Sequence, residues 1–580
     1  MKIVIARMSG FCMGVRRAVE MVLDAPDRHP GPICTYGPLI HNPQVLDLLE
    51  SKDIATLKNI PECGKGTVLI RAHGVPPATK KRLKASGYKV IDATCPRVIR
   101  VQSIIRKHAK QDHAVIILGD RDHPEVVGLL GYAGANGHVV ASVEELDRLP
   151  SFEKAIIVAQ TTQNTRLYTE VKAWAIRHHP HYKIFETICD STEKRQAEVQ
   201  RLAESVDAVL VVGGRESGNT QRLVEIARQA GKPAFHVEKE TDLADIDLSA
   251  LSAVRTIGIT AGASTPNWVI RQVYLTLETM VFRRKSGWHK TLYTLMRAAL
   301  LSNIYVSLGA TGLCYAVSRL QGVLHFKAFV LIAFLYVQSM HILNHLTGSP
   351  ADRYNEPDRA QFYQSRRIPL TLIAMTSGAA GLVIAYLQGW LPFLILLVMS
   401  LLGLSYRLTL VPKAFSGIMY RRIKDIPGSK TVLIAMAWGV VTAVLPPISV
   451  RGAFSLTDAL IFVWAAGLVF VRTAFFDILD MQGDRLVGKE TIPILLGEKR
   501  SMRLLKGILV GLVVGLPLVS ALGLVSAFGF ILTLCPAAMF AILVAYQRGL
   551  ILAGIRLEFL VESHLVLGGM LALVWGLMVG

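Results

Sequence analysis

Beyond residue 294 the chain changes character. Apolar runs of 18 to 25 residues recur near 294–318, 325–343, 368–388, 390–410, 431–448, 456–476, 504–524, 526–546 and 563–580. A bilayer core needs about 20 such residues per helix, because no water inside it can satisfy the backbone. This half can therefore fold into little other than an all-α polytopic bundle of eight or nine transmembrane helices. Up to about residue 290, charges are dense and apolar runs are short. The overall hydrophobic fraction of 52% averages two unlike halves, and 580 residues are too many for one ordinary core.

The net charge of +20 has two ordinary causes, nucleic-acid binding and basic cytosolic loops. The loops around 344–367, 412–430, 477–503 and 547–562 carry most of the Lys and Arg of the second half, and those around 389, 449–455 and 525 are short and poor in charge. That alternation is the positive-inside pattern, so a multi-pass membrane protein in a lipid bilayer is expected, with no nucleic-acid partner. Residues 1–10 read as a strand, with Arg7 and Arg16 close by, so no secretory leader is expected. The first half then stays in the cytosol, on the side of the charged loops. Seven cysteines without a CxxC pair do not make a disulfide framework.

In the first half, short apolar strands alternate with helical patterns: "KIVIA", "PICTYG", "GTVLIRAHG", "KVIDATC", "AVIILGD", "KAIIVAQ", "YKIFETIC", "AVLVVGG" and "TIGITAG". This is the signature of α/β modules with parallel sheets, whose sites form at the carboxyl ends of strands. The strand ends repeat. Cys12, Cys95 and Cys189 follow strands in "GFCMGVRRA", "DATCPRV" and "ETICDSTEKR", 83 and 94 residues apart. In a second loop type, Gly37, Gly119 and Gly213 precede His41, His123 and Ser217 by four residues each, with spacings of 82 and 94. A third type presents His73, then Thr161 with Thr162, then Ser264. Two marker sets in one register predict three α/β modules with pseudo-threefold symmetry, their cysteines facing a common axis. A single free cysteine is usually a small buried residue. Cys34, Cys63, Cys314 and Cys535 do not repeat and are read that way.

Three thiolates at helix starts suit a soft metal centre. Zinc prefers closed shells with tight local pairs, which are absent, whereas three cysteines on a [4Fe–4S] cluster leave one iron open. His, Ser, Thr and Asn side chains near helix N-termini and glycine turns suit a small phosphorylated ligand. Glu125, two residues after His123, is the carboxyl group placed to deliver a proton.

"GFCMGVRRA", "GPLIHN", "RAHGVPP", "DATCP", "GDRDHPEVVG", "AQTTQNT", "ESGNTQRL" and "TAGASTP" occur in order over residues 1–283. This half resembles the IspH/LytB family, the 4-hydroxy-3-methylbut-2-enyl diphosphate reductases of the non-mevalonate isoprenoid pathway. The resemblance implies reductive removal of the allylic hydroxyl to give isopentenyl and dimethylallyl diphosphate, with ferredoxin or flavodoxin as plausible electron donors. It implies Cys12, Cys95 and Cys189 as [4Fe–4S] ligands, Glu125 as proton donor, and Thr161 or Thr162 beside the substrate. His41, His73 and His123 match the diphosphate-binding histidines, and Ser217, Asn219 and Ser264 further diphosphate contacts. Gly218 stands where many members carry a second serine, leaving its backbone N–H in place of a hydroxyl.

In the second half, two cytosolic loops are acidic as well as basic. "NHLTGSPADRYNEPDR" carries Asn344, Asp352, Asn355 and Asp358, and "FFDILDMQGDRLVGKETIPILLG" carries Asp477, Asp480 and Asp484 at helical spacing. Carboxylates clustered at a membrane interface are costly unless they hold something, and Mg²⁺ with substrate phosphates is the usual answer. Residues 284–580 resemble the UbiA superfamily of intramembrane prenyltransferases through the second motif and, in the middle, "LSYRLTLVPK" and "KDIPGSK". The resemblance implies a Mg²⁺-dependent transfer from a prenyl diphosphate to an acceptor, with Asn344, Asp352, Asp477, Asp480 and Asp484 as metal ligands. The first motif departs: His345 follows Asn344, and Gly348 replaces the middle aspartate, so Asp358 or Asn355 would have to substitute. The expected whole is a bifunctional isoprenoid enzyme in a prokaryotic cytoplasmic (inner) membrane. The alternative for residues 284–580 is a non-catalytic anchor or prenyl-lipid-binding module.

Overall fold

The computed structural model describes residues 2–246, 254–284, 287–347, 352–405, 426, 428–486 and 491–579. The chain divides into two compact units, Met1–Val281 and Phe282–Gly580.

Among the described residues, the first unit holds twelve strands in three four-stranded parallel sheets. One contains β2 (Ile33–Tyr36), β3 (Ala55–Leu57), β4 (Thr67–Ile70) and β5 (Lys89–Asp92), in the order β3-β2-β4-β5. The next contains β6 (Ala114–Leu118), β7 (Gly137–Val140), β8 (Ala155–Ala159) and β9 (Lys183–Ile184), in the order β7-β6-β8-β9. The last contains β10 (Ala208–Val212), β11 (Ala234–Val237), β12 (Thr256–Ala261) and β1 (Lys2–Ile5), in the order β1-β12-β10-β11. The three modules share one topology, and β1 supplies the strand that the last would otherwise lack, pairing Lys2 with Thr256 through Ile5 with Ile259.

The sequence pattern shows nine of the twelve strands. The other three, β3, β7 and β11, are the equivalent edge strand of each sheet. Edge strands are short and half-covered, so their apolar signal is weak. The central strands read as continuous apolar runs because both faces are buried. Val115, Ile117, Ile156 and Val158 pack into one core, while Ile116, Leu118, Ile157 and Ala159 pack into another on the opposite face.

The second unit is helical. Among the described residues, seven helices are long and apolar enough to cross a membrane, and eight if the bent pair Trp288–Leu301 and Ile304–Leu320 counts as one span. The run expected at 390–410 contains a shorter helix, Trp390–Ser405. Helices Ile304–Leu320 and Ile555–Val579 meet backbone to backbone, since a Cβ on Gly569 would lie 2.5 Å from the Cα of Gly312. Small residues of this kind let membrane helices approach. Pro447 cannot donate to the carbonyl of Ala443 one turn earlier, and Gln321 Nε2 from another helix donates to that oxygen instead, at 2.8 Å.

Candidate functional site

Each module ends three strands in loops that lead into helices, and the repeated residues occupy those ends. Cys95, Cys189 and Cys12 follow β5, β9 and β1, the equivalent edge of each sheet. Each is the N-cap of the next helix, Pro96–Ala109, Asp190–Ser205 and Met13–Leu23 respectively. His41, His123 and Ser217 follow β2, β6 and β10, while His73, Thr161 and Ser264 follow β4, β8 and β12. His123 and Ser217 are also N-caps. Proline at the first helical position (Pro43, Pro96, Pro124) is preset for a helix start.

All thirteen residues expected for the reductase line one cavity: Cys12, Cys95, Cys189, His41, His73, His123, Glu125, Thr161, Thr162, Ser217, Gly218, Asn219 and Ser264. The Cys95 thiol is pushed up by burial first and then by the charges of Cys12 and Cys189, so the three sulfurs lie within electrostatic reach. Gly14, two residues after Cys12, leaves the room that Cys95 occupies, since a Cβ there would stand 2.4 Å from Cys95 Sγ. By contrast, Cys34 is buried in a module core with its thiol pushed up to about 11 by burial. Cys314 and Cys535 are buried in the helical unit as expected, but Cys63 is exposed, in a loop, contrary to the buried reading.

His41, His73 and His123 form a triangle with ring centroids 5.0, 5.2 and 5.9 Å apart. Burial lowers all three pKa values, that of His123 to about 4. Arg71 lowers each of them further, and Arg222 adds to the effect on His123. The ring nitrogens are close enough to hold a metal ion, but the field of these arginines favours an anion. His123 Nδ1 accepts from the Glu125 N–H at 3.2 Å, which leaves Nε2 to carry the ring proton. His41 Nε2, His73 Nδ1 and Asn219 Nδ2 are buried without hydrogen-bond partners among the described residues. Such orphaned polar atoms mark the place of a polar ligand. Ser264 Oγ donates to the carbonyl of His41 and lies 3.3 Å from Ser217 Oγ, tying first and third modules.

Glu125 is 2% exposed. Its carboxyl accepts from Thr161 N at 2.7 Å and from Thr161 Oγ1 at 2.8 Å. Burial nevertheless outweighs these bonds and raises its pKa to about 7. At Gly218, a Cβ would stand 3.2 Å from Arg222 Nη1, a buried atom without a hydrogen-bond partner among the described residues. A guanidinium thus sits where a second serine would have pointed. The same arginine is held by both oxygens of Asp120, at 3.0 and 2.8 Å. A larger cleft of about 650 Å³ beyond Gly218 is lined by solvated side chains such as Arg166, Glu170 and Glu225, and holds none of the cysteines or histidines.

In the helical unit, Asp477, Asp480 and Asp484 lie on the helix Leu456–Leu486, and Asp352 opens the short helix Asp352–Asn355. Asn355 Nδ2 donates to Asp484 Oδ1 at 3.1 Å, and Thr431 Oγ1 donates to Asp477. Asn355 therefore joins the second motif, whereas Asp358 is paired with Arg297 at 2.8 Å. Asn344 lies near the end of the helix Lys327–Leu346. Gly348 and residues 406–425 of the middle segment lie outside the described residues. Lys430 was missed in the sequence, although it sits in "KDIPGSK": its ammonium interacts with Asp352, Asp477, Asp480 and Asp484. So was Arg472, bound to Glu562 through Nε at 2.8 and 3.0 Å, in the buried interior.

The model of the LytB protein family matches residues 3–278, and that of the UbiA prenyltransferase family matches residues 304–551. The 4-hydroxy-3-methylbut-2-enyl diphosphate reductase of Geobacter sulfurreducens is 40% identical over 273 residues, 47% of this chain and 95% of that protein. The enzyme of the same name from Solidesulfovibrio magneticus is 40% identical over 288 residues, 48% of this chain and 100% of its own. The apo structure of a UbiA homolog from Aeropyrum pernix K1 is 15% identical with a TM-score of 0.37, over 47% of this chain and 98% of that one. This chain belongs to the LytB family, with a UbiA-type prenyltransferase domain fused behind it.

Proposed function

We propose that the first unit is a 4-hydroxy-3-methylbut-2-enyl diphosphate reductase working with a [4Fe–4S] cluster. One observation carries the reading: three cysteines, one per module, share a cavity with a histidine triangle and a buried carboxyl group. The residues suit such a cluster, with three thiol side chains at helix N-termini, Cys95 within electrostatic reach of the other two, and a bare Gly14 that makes room for the Cys95 sulfur. A cluster held by three cysteines supplies an open iron as Lewis acid and delivers electrons one at a time.

The chain's own residues do the rest. His41, His73, His123, Ser217, Asn219 and Ser264 bind the diphosphate, and the orphaned His41 Nε2, His73 Nδ1 and Asn219 Nδ2 gain partners there. Glu125, protonated up to about pH 7, passes its proton through the Thr161 hydroxyl toward the substrate hydroxyl, and Thr162 lines the same wall. The allylic C–O bond breaks and the hydroxyl leaves as water. Two electrons from an external donor such as ferredoxin or flavodoxin and a second proton, delivered to carbon, complete the balance. Anaerobic purification tests the reading: a brown protein that reduces the allylic diphosphate supports it, and a colourless zinc protein overturns it.

Diphosphate binding should take up protons. The free histidines are neutral at pH 7, because burial and Arg71 hold their pKa values down. A bound polyanion raises them again. Affinity should therefore rise as pH falls, and calorimetry in two buffers of different ionisation enthalpy should show net proton uptake near pH 7. Equal heats in both buffers would contradict the histidine contact.

For the second unit we propose prenyl transfer from a prenyl diphosphate, with Asp352, Asp477, Asp480 and Asp484, together with Asn344, holding Mg²⁺ against the leaving diphosphate. An all-oxygen donor set is what Mg²⁺ takes. Loss of turnover in Asp480→Ala and Asp484→Ala, by at least a hundredfold, is the expected outcome with labelled prenyl diphosphates. Retained transfer in both variants removes the metal role. The second reading, a lipid-binding module without catalysis, is favoured by Lys430, whose charge already faces those aspartates.

We place the reductase in residues 1–283 and the prenyltransferase in 284–580. The reductase then lies on the cytosolic side of a prokaryotic cytoplasmic membrane, where the charged loops also fall.

A further inference from the structure

The three cysteine-bearing helix starts are joined in a ring by arginines. Arg17, on the helix capped by Cys12, donates from Nη1 to the carbonyl of Thr94, next to Cys95, at 3.1 Å. Arg97, two residues after Cys95, pairs through Nη2 with Asp190, next to Cys189, at 2.7 Å. Arg195, on the helix capped by Cys189, donates from Nη2 to the carbonyl of Gly10 at 2.8 Å, in the loop that leads to Cys12. It also donates from Nη1 to the carbonyl of Ala261 at 2.7 Å. Each arginine thus leaves one cysteine leg and grips the next.

The three clamps differ in one respect that matters electrically. Arg97 and Asp190 are 39% and 60% exposed, and water screens such a pair. Arg195 is 2% exposed. Its charge interacts with Cys12, Glu198 and Cys189. Glu198 is fixed as well, accepting from Arg7 N at 2.8 Å and Met8 N at 2.7 Å. A buried, rigidly held positive charge therefore stands beside two of the three cysteine legs, with the half-buried Glu198 carboxylate fixed within its reach.

We propose that Arg195 is a positioning residue of the reductase that also sets the reduction potential of the iron–sulfur centre, through its buried guanidinium between the Cys12 and Cys189 legs. A fixed positive charge close to the centre stabilises the added electron, so it raises the potential; Glu198 opposes it. The inference rests on the cluster reading of the three cysteines.

The test is an EPR-monitored redox titration of the full chain, purified anaerobically in detergent. Arg195→Gln should shift the midpoint negative by a tenfold change in the reduction equilibrium, about 59 mV for a one-electron couple. Arg195→Lys, which keeps the charge, should stay with the wild type. Glu198→Gln should shift the midpoint positive. Arg97→Gln should lower iron content without moving the midpoint, since its charge is exposed. An unchanged midpoint in Arg195→Gln, or an equal shift in Arg97→Gln, overturns the proposal. If Arg195→Gln takes up no iron, Glu198→Gln decides: a positive shift supports the proposal and an unchanged midpoint overturns it. A wild-type chain without an iron–sulfur signal refutes the cluster reading itself, an outcome distinct from an unmoved midpoint.

Discussion

Cys12→Ser leaves no measurable reductase turnover and no visible iron–sulfur absorption, while Cys34→Ser keeps both. Serine offers a hard, protonated oxygen where iron wants a thiolate, so one leg of the tripod is lost and the remaining two do not close the site. The two cysteines are only 22 residues apart, yet their surroundings differ. Cys12 caps a helix, accepts from Val15 N at 3.4 Å, and lines the cavity. Cys34 lies within β2, and its thiol donates to the carbonyl of Thr67 at 3.6 Å. Burial holds that thiol protonated, with its pKa at about 11, so it is inert as a nucleophile or ligand. A serine hydroxyl keeps the bond to Thr67, and the substitution costs about 1 kcal/mol. Iron content, absorption and turnover of the two variants, measured side by side, check the pair. Full activity in Cys12→Ser would falsify the tripod.

Glu125→Gln lowers kcat by about a hundredfold to ten-thousandfold, the range lost with a general acid, and changes substrate binding little. The amide is close in shape to the carboxyl group but carries no transferable proton. The wild-type pH profile follows from the same environment. With its pKa raised to about 7 by burial, Glu125 is protonated below that pH and ionised above it. The wild-type kcat should fall as pH rises through about 7, and the residual rate of Glu125→Gln should lack that step. Thr161→Val should reproduce part of the loss, because its hydroxyl is the group that reaches Glu125 Oε2. A variant that keeps the step at pH 7 would assign it to another group, with the histidines as the next candidates.

Much of this was legible along the chain because it repeats. The equal spacing of Cys95 from Cys189 and of His123 from Ser217 announced one module used more than once. Strand ends before helix starts are marked by local chemistry (Pro43, Pro96 and Pro124 at the first helical position, capping side chains before them), and such signals need no tertiary context. Most of what escaped lacks a local signal. The strands β3, β7 and β11 are edges with little apolar surface to bury. Arg195 and Lys430 look like ordinary surface cations in a sequence, whereas Arg472, a lone cation inside the apolar run 456–476, carried a signal that went unread. Their role comes from partners 66 to 185 residues away for Arg195, and 90 residues away for Arg472.

Gly218 and Asn219 come from the family resemblance, but the division into an α/β unit and a helical membrane unit, the threefold module and most of the cavity residues follow from periodicity and spacing. These are properties of local segments and their order, so the residues carry them before any fold exists. How the ring closes does not follow from that order. The chain's first strand completes its last sheet, so Cys12 belongs with β12 and Ser264, at the far end of the unit, and not with the module that follows it. The pKa of Glu125, the anion-favouring field around the three histidines and the pairing of Arg195 with Gly10 likewise depend on which groups are brought out of water together. Burial and long-range contact set those quantities, and both come into being with the packed fold.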